Sequence, residues 1–473
     1  MLLPITSVMG LSQRMLTRSF NTLTQTIPSK GFTELPSKEL VSVKGPDSSK
    51  FLNGLITSKI LPISVKKNLT TISDEKDSSG KITLTESDMS QTNWGLLNED
   101  ECSGEQRVSR NGLYTMILNS KGRVFGDIFI YPYQFIDTEY QERPPQYLME
   151  CDDKLHNQLS GLLKIHKLKS KVTIDKNAAG KVWFMYNQEQ SDLLYELKEK
   201  YFNYEANKSP EIALDNATSF LKDTRLFQQT LNTDDIISIA FDDRCEEFGL
   251  RIITKSSVDS LTDIISPQFI NQQDQITEET YHIRRQLFGI PEGSVELKPN
   301  KLLPLECNLE FMNGVNFDKG CYIGQELTVR THHTGIIRKR VVPVRLSILD
   351  ENINDHELNF DPNDNVVDLI PEGLNHVEIY SDKLKESKTP LAASPFATSS
   401  SSTTSAKPSK RSSSGTLLST YGNIGIALVR LEDFADECAN FFIELPNGDN
   451  ELIKVKVKSY VPYWWPFEGD EEE

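Results

Sequence analysis

The sequence predicts an α+β fold, and three observations lead to it. Short strand-like blocks recur through the first half of the chain, segments with helical spacing separate them, and from Val341 onward the pattern turns to strands. With 473 residues, 37 % of them hydrophobic and 25 % charged, the chain is an ordinary globular one with room for two or three domains. Its formal net charge of −17 argues against duplex binding, which needs concentrated Lys and Arg, so no nucleic-acid partner is expected. No apolar run reaches the length of a membrane span.

Residues 1–30 read as a mitochondrial targeting peptide. Arg14, Arg18 and Lys30 are their only charges, and Leu16, Phe20 and Leu23 would share a helical face opposite the arginines. Glu39 to Val43 alternates as a strand, Lys44-Gly45-Pro46-Asp47 breaks it, and Phe51, Leu52, Leu55 and Ile56 then follow helical spacing. Residues 62–108 are polar and read as an exposed insertion, partly anchored by Trp94 and Leu96-Leu97.

Leu113 to Tyr131 predicts a hairpin turning at Asn119-Ser120-Lys121-Gly122. Leu155, Leu159, Leu162 and Leu163 predict a helix, and Val182 to Tyr186 an apolar strand. A second polar insertion is expected over about 187–237, with a helix through Leu193 to Leu197. Thr280 to Phe288 reads as a helix ended by Gly289 and Pro291. In the C-terminal β region, residues 382–416 form a Ser/Thr/Lys/Pro-rich loop expected to be disordered. The closing cluster Tyr463-Trp464-Trp465 is read as a clip onto its own domain.

The six cysteines contain no Cys-x-x-Cys pair, so no local zinc or iron–sulfur cage is offered by spacing. Cys321 stands apart, in Lys319-Gly320-Cys321-Tyr322-Ile323-Gly324-Gln325-Glu326. Gly320 and Gly324 are read as permitting close approaches and unusual backbone angles. A helix opening near Ile323 or Gly324 would place Cys321 beside free N–H groups, and Lys319 would add a cation. Both effects favour thiolate.

The order Tyr281, Arg284, Gly289-Ile290-Pro291-Glu292-Gly293, Pro304-Leu305-Glu306, Gly314-Val315-Asn316-Phe317, Lys319 to Glu326 and Arg330-Thr331 resembles the signature region of the YgfZ-type folate-binding proteins. These are relatives of the glycine-cleavage aminomethyltransferase (T-protein). Gly122-Arg123-Val124, Asp127, Asp242-Asp243-Arg244 and Gly249-Leu250-Arg251 add to the resemblance. It implies a T-protein-like three-domain ring with two α/β domains and a C-terminal β-barrel. The expected division is 31–61 with 238–330, 109–237, and 331–473. The resemblance also implies tetrahydrofolate as a cofactor, with Lys319, Arg330, Arg284, Tyr322, Gln325 and Glu326 as binding candidates. Arg330 has a second reading, as an ion-pair partner of Glu326 one helical turn away.

Two departures bear on chemistry. Where the aminomethyltransferases carry an acid in the signature, Cys321 supplies a soft sulfur; where they carry paired carboxylates, Asp127 follows Gly126. The mitochondrial branch of the family implies an iron–sulfur assembly factor of the matrix, working with A-type scaffold proteins and [4Fe–4S] target apoproteins. Cys321 would be its functional thiol, in transient contact with a cluster, and His332 or His333 a second ligand. The alternative is a tetrahydrofolate-dependent aminomethyltransferase.

Overall fold

The computed structural model describes residues 27–61, 93–99, 106–203, 208–349, 358–382, 413–435, 439–446 and 451–466. The targeting segment through residue 26, residues 62–92 of the first insertion and residues 383–412 of the low-complexity loop lie outside the described residues.

Two antiparallel sheets and a closed barrel make up the strand framework. The first sheet has the order β1 (Lys30–Glu34), β9 (Lys181–Asn187), β11 (Leu250–Thr254), β10 (Ile236–Phe241). The second has the order β5 (Leu113–Leu118), β6 (Val124–Pro132), β7 (Gln146–Asp152), β2 (Lys38–Lys44), β8 (Thr173–Asp175). A small ribbon, β3 (Leu96–Glu99) with β4 (Gln106–Ser109), occupies the end of the first insertion, where Leu97, Val108 and Ala213 share a buried cluster.

Side-chain alternation explains the layering. On β9, Val182, Phe184 and Tyr186 face a central core, while Trp183 and Met185 face a second one. On β5 and β6, Tyr114, Met116, Phe129 and Tyr131 join the same central core, while Ile117, Ile128 and Ile130 face outward. The inner faces of both sheets therefore enclose one core, and each outer face is covered by helices. Helices α1 (Ser48–Asn53) and α2 (Asp153–Lys167) cover the second sheet, α2 through Leu159 and Leu163. Helices α3 (Ser191–Phe202) and α4 (Pro210–Leu221) cover the first, through Leu194, Leu197, Ala217 and Phe220.

This layering corrects two sequence-based expectations. Residues 187–237 are not a polar insertion: the apolar stripes of α3 and α4 form one wall of a core. The strands also divide differently from the expected boundaries. Lys38–Lys44, expected with the first unit, pairs with Gln146–Asp152, and Lys181–Asn187, expected with the second, pairs with Lys30–Glu34. Hydrophobic periodicity identifies a strand but says nothing about which sheet it joins.

Helices α5 (Glu278–Leu287), α6 (Gly293–Glu296) and α7 (Gln325–Thr334) connect the sheets to the barrel. The barrel closes in the order β12 (Lys339–Ile348), β15 (Ile424–Arg430), β14 (Gly415–Tyr421), β13 (Val377–Ser381), β16 (Phe441–Pro446), β17 (Leu452–Ser459). It docks on α5 through Gln286 Nε2, which donates to Ser419 Oγ at 2.7 Å, and on α6 through Ser419 Oγ, which donates to Glu296 Oε1 at 2.5 Å. The terminal aromatics act as a clip, but only in part onto their own barrel. Tyr463 donates to the Glu246 carbonyl and Trp464 Nε1 to that of Phe288, both on neighbouring segments, while Trp465 is buried in the barrel core.

Candidate functional site

The signature loop before α7 is held by the segment that follows α1. Thr57 Oγ1 and Ser58 Oγ donate to the Gly314 carbonyl at 2.6 and 2.9 Å, Asn316 N donates to Thr57 O, and Ile323 N to Gly54 O. Lys319 completes this seam. Its ammonium donates to the carbonyls of Asn53, Ile56 and Ser58 at 2.7, 2.6 and 2.8 Å and lies 4.8 Å from the Tyr322 ring centroid. Burial pushes its pKa down to about 7.

Gly324 caps α7 with φ +79°, and Gly122 on the β5–β6 turn has φ +74°. A Cβ at Gly324 would sit 2.3 Å from Asn119 O, and one at Gly122 would sit 2.9 Å from Gly324 O. The two glycines let the hairpin turn and the start of the helix touch backbone to backbone. Gly320 differs from the expectation: a Cβ there meets nothing within 4 Å, and its φ is not in the left-handed range.

Cys321 is exposed at this junction. It opens onto a cavity of about 530 Å³ lined on one side by Ser120, Lys121 and Gly122, and on the other by Tyr322, Gln325, Glu326 and Arg330. A second cavity of about 540 Å³ shares Gln325, Glu326 and Arg330 and adds Val329, His333 and Thr334. Gln325 accepts from Tyr322 N at 3.1 Å, which fixes the loop against the first helical turn. Among the described residues no ion pair joins Glu326 to Arg330, so both charges remain at the cavity. His332 is stacked on Phe317, with centroids 3.6 Å apart and planes at 9°.

The other described cysteines, Cys151, Cys245 and Cys307, are buried, and burial pushes each thiol up. Among the described residues no three His, Cys, Asp or Glu side chains converge as a metal site.

The candidates thus separate. Cys321, Gln325, Glu326 and Arg330 meet at one cavity. Tyr322 lines it too, but its ring is buried and its hydroxyl is pushed up to about 12. Lys319 faces inward, onto three carbonyls, and is no cation for the thiol or for a ligand. Arg284 is also buried, held by the carbonyls of Glu247 and Phe248 between the rings of Tyr186 and Phe288. A pteroylglutamate needs cations open to solvent, and of the three proposed only Arg330 is. Lys319 and Arg284 therefore do not fit the role expected of them toward tetrahydrofolate, whereas Arg330, Gln325, Glu326 and Tyr322 line one cavity.

Sequence reading missed Ser120 and Lys121 as the far wall of the cavity; the signal was Gly122, whose resemblance to the family was noted without a reason for it. It also missed a buried charge network. Arg244 binds Asp242 through two nitrogens and Glu292 at 2.6 Å. Arg251 binds Glu150, Asp242, Glu292 and Tyr281, while Lys38 reaches Glu292 at 2.7 Å. Burial would raise Glu292, but Lys38 and the two arginines outweigh it and hold the carboxyl well below the usual range. Asp127, at the edge of this network, accepts from Gly293 N at 3.1 Å; burial, opposed by Lys38, pushes it up to about 6.

Two antiparallel sheets around a shared core, an appended closed barrel and one exposed thiol among the described cysteines define an α+β protein with a C-terminal barrel domain. Residues 338–467 match the family described as the CAF17 C-terminal beta-barrel domain. A relative from Scheffersomyces stipitis, the "iron-sulfur cluster assembly factor IBA57 homolog, mitochondrial", is 34 % identical over 94 % of this chain and 99 % of its own. The homolog of the same name from Meyerozyma guilliermondii is 35 % identical over 93 % and 99 %, and the IBA57 of Saccharomyces cerevisiae 30 % over 92 % and 88 %. The chain belongs to the family of mitochondrial iron–sulfur cluster assembly factors named IBA57. Among solved structures, the glycine cleavage system aminomethyltransferase T of Bartonella henselae is similar at a TM-score of 0.47 and 10 % identity, over 92 % of this chain and 86 % of that one. At that score the likeness carries no argument.

Proposed function

We propose that this chain assists late iron–sulfur protein maturation in the mitochondrial matrix, helping [4Fe–4S] clusters form on target apoproteins, with Cys321 as its functional thiol. The observation that carries this reading is the contrast among the described cysteines: three are buried, and Cys321 alone opens onto a polar cavity. Thiolate is a soft ligand suited to iron. Because this chain's described residues bring no further ligands to Cys321, the remaining coordination would come from a partner, and a scaffold protein of the A-type fits that need. The contact is then transient by construction, since one thiolate holds a cluster only while another chain holds the rest. Lys121 and Arg330 outnumber Glu326 at the cavity, and the net positive charge beside the thiol favours an anionic thiolate-ligated cluster.

Aminomethyl transfer has less support. Gly126 stands where a second carboxylate would be needed, and a side chain there would have to displace the tip of Leu155, whose Cδ1 lies 2.7 Å from the position of a Cβ. The deciding experiment depletes the protein and follows mitochondrial aconitase, a [2Fe–2S] protein and glycine cleavage together. Loss of aconitase alone, rescued by the parent chain but not by Cys321→Ser, is expected. Full rescue by Cys321→Ser sinks the role of the thiol; failed glycine cleavage with normal aconitase sinks the assembly reading.

A further inference from the structure

The C-terminal end of α2 carries a feature that the fold does not use. The helix buries Leu155, Leu159 and Leu163 against the second sheet, yet Ile165 is 73 % and Leu168 87 % exposed. Around them run Lys164, Lys167, Lys169 and Lys171, and no acidic residue occurs between Asp153 and Asp175. In a chain of net charge −17 this is a local reversal of sign. Leu168 is also held at φ +43°, ψ −112°, a backbone conformation natural to glycine and unfavourable for a branched side chain. A strained residue that places a large apolar side chain in water points to a use for that side chain.

We propose that this tip is a peripheral docking surface for an anionic lipid bilayer. Ile165 and Leu168 would enter the boundary between headgroups and acyl chains, and the lysines would lie at the phosphates with their stems along the apolar surface. Two arguments select a bilayer over a protein. Side chains this exposed stand on a projection with no surrounding wall, so a protein partner would need a matching hollow, whereas a bilayer deforms around them. The charge is predominantly positive, four lysines against the Asp47 carboxylate that accepts from Lys171 N at 2.6 Å, which complements an anionic lipid surface more simply than a mixed protein one. The proposal is independent of the role of Cys321.

The test uses the full chain with Arg14→Gln and Arg18→Gln throughout, so that the basic N-terminal segment does not bind lipid by itself. Flotation is measured with phosphatidylcholine vesicles, with and without about one-third phosphatidylglycerol, at low and high salt. The chain is expected to float with the anionic vesicles only, and to be released by salt. Leu168→Gly relieves the backbone, so its urea midpoint should equal or exceed the parent's while most of the bound fraction is lost. Lys164→Gln and Lys169→Gln should each weaken binding about fivefold. A parent chain that does not float, or variants that float like the parent, overturns the proposal. So does a chain that binds only after removal of residues 62–92, because that insertion would then be the occupant.

Discussion

Replacing Lys319 by methionine separates what holds the fold from what holds the site. The ammonium is buried and donates to three carbonyls. Leaving those oxygens bare costs about 1–3 kcal/mol each, so about 6 kcal/mol at mid-range. Against this, burial has lowered the lysine from 10.5 to about 7, which corresponds to about 5 kcal/mol of desolvation that methionine does not carry. The difference is about 1 kcal/mol, small beside the stability of a chain this size. The damage should therefore be local. Lys319→Met is expected to shift the urea midpoint little, to raise amide exchange across Asn316 to Gly324, and to fail in complementing loss of the protein. The pH dependence has a definite sign. A base whose pKa is lower in the folded state binds fewer protons folded than unfolded, so stability rises with pH between about 7 and 10.5, and the variant should lose that rise. Unchanged exchange with full complementation would refute the view that this lysine positions Cys321. Global destabilisation beyond about 4 kcal/mol would show the opposing contributions to be misjudged.

Other substitutions probe the supports separately. Asp127 has its pKa raised to about 6, so the folded state holds its proton longer and stability falls as pH rises from 3.8 to about 6. Asp127→Asn should flatten that fall and gain about 1–3 kcal/mol at pH 7.5, measured by urea unfolding across pH; a parallel profile would count against the assignment. Glu292→Gln removes the charge shared by Lys38, Arg244 and Arg251 and should cost about 3–5 kcal/mol, read from the same unfolding curves. Gly324→Ala combines a positive φ with a 2.3 Å clash on Asn119 O and should cost at least about 2 kcal/mol, whereas Gly320→Ala should be neutral, with thermal melts deciding.

Much of the fold was legible because periodicity is local. Val182 to Tyr186 alternates between two cores as a central strand must, and the strands from Val341 onward close a barrel. Sheet membership was not legible, because the pairing of Lys38–Lys44 with Gln146–Asp152 spans more than a hundred residues and leaves no local mark. The same holds at the site. The start of α7 could be read from Gly324, and the exposure of Cys321 agrees with its place in a glycine-bounded turn. Lys319 and Arg284 could not be judged, since a cation named by a motif looks the same whether it meets solvent or three carbonyls. Only the chain that folds over it decides.

That distinction explains why the loop is built as it is. On the proposed role of Cys321, a thiol that exchanges a cluster with another chain must be reachable, yet the loop carrying it must not collapse onto the ligand or onto the protein's own core. Exposure alone would leave Cys321 on a flexible segment, where ordering it would oppose every encounter. The structure meets both demands by fastening the residues on either side of it: Lys319 to the segment after α1, Tyr322 and Gln325 to each other, and Gly324 to the β5–β6 turn. The ordering is thereby already complete before a partner arrives. It follows that Lys319→Met and Gly324→Ala, which touch no ligand, should weaken partner-dependent cluster exchange with Cys321 still present. If both variants exchange clusters at the parental rate, preorganisation of the loop is not what the seam is for.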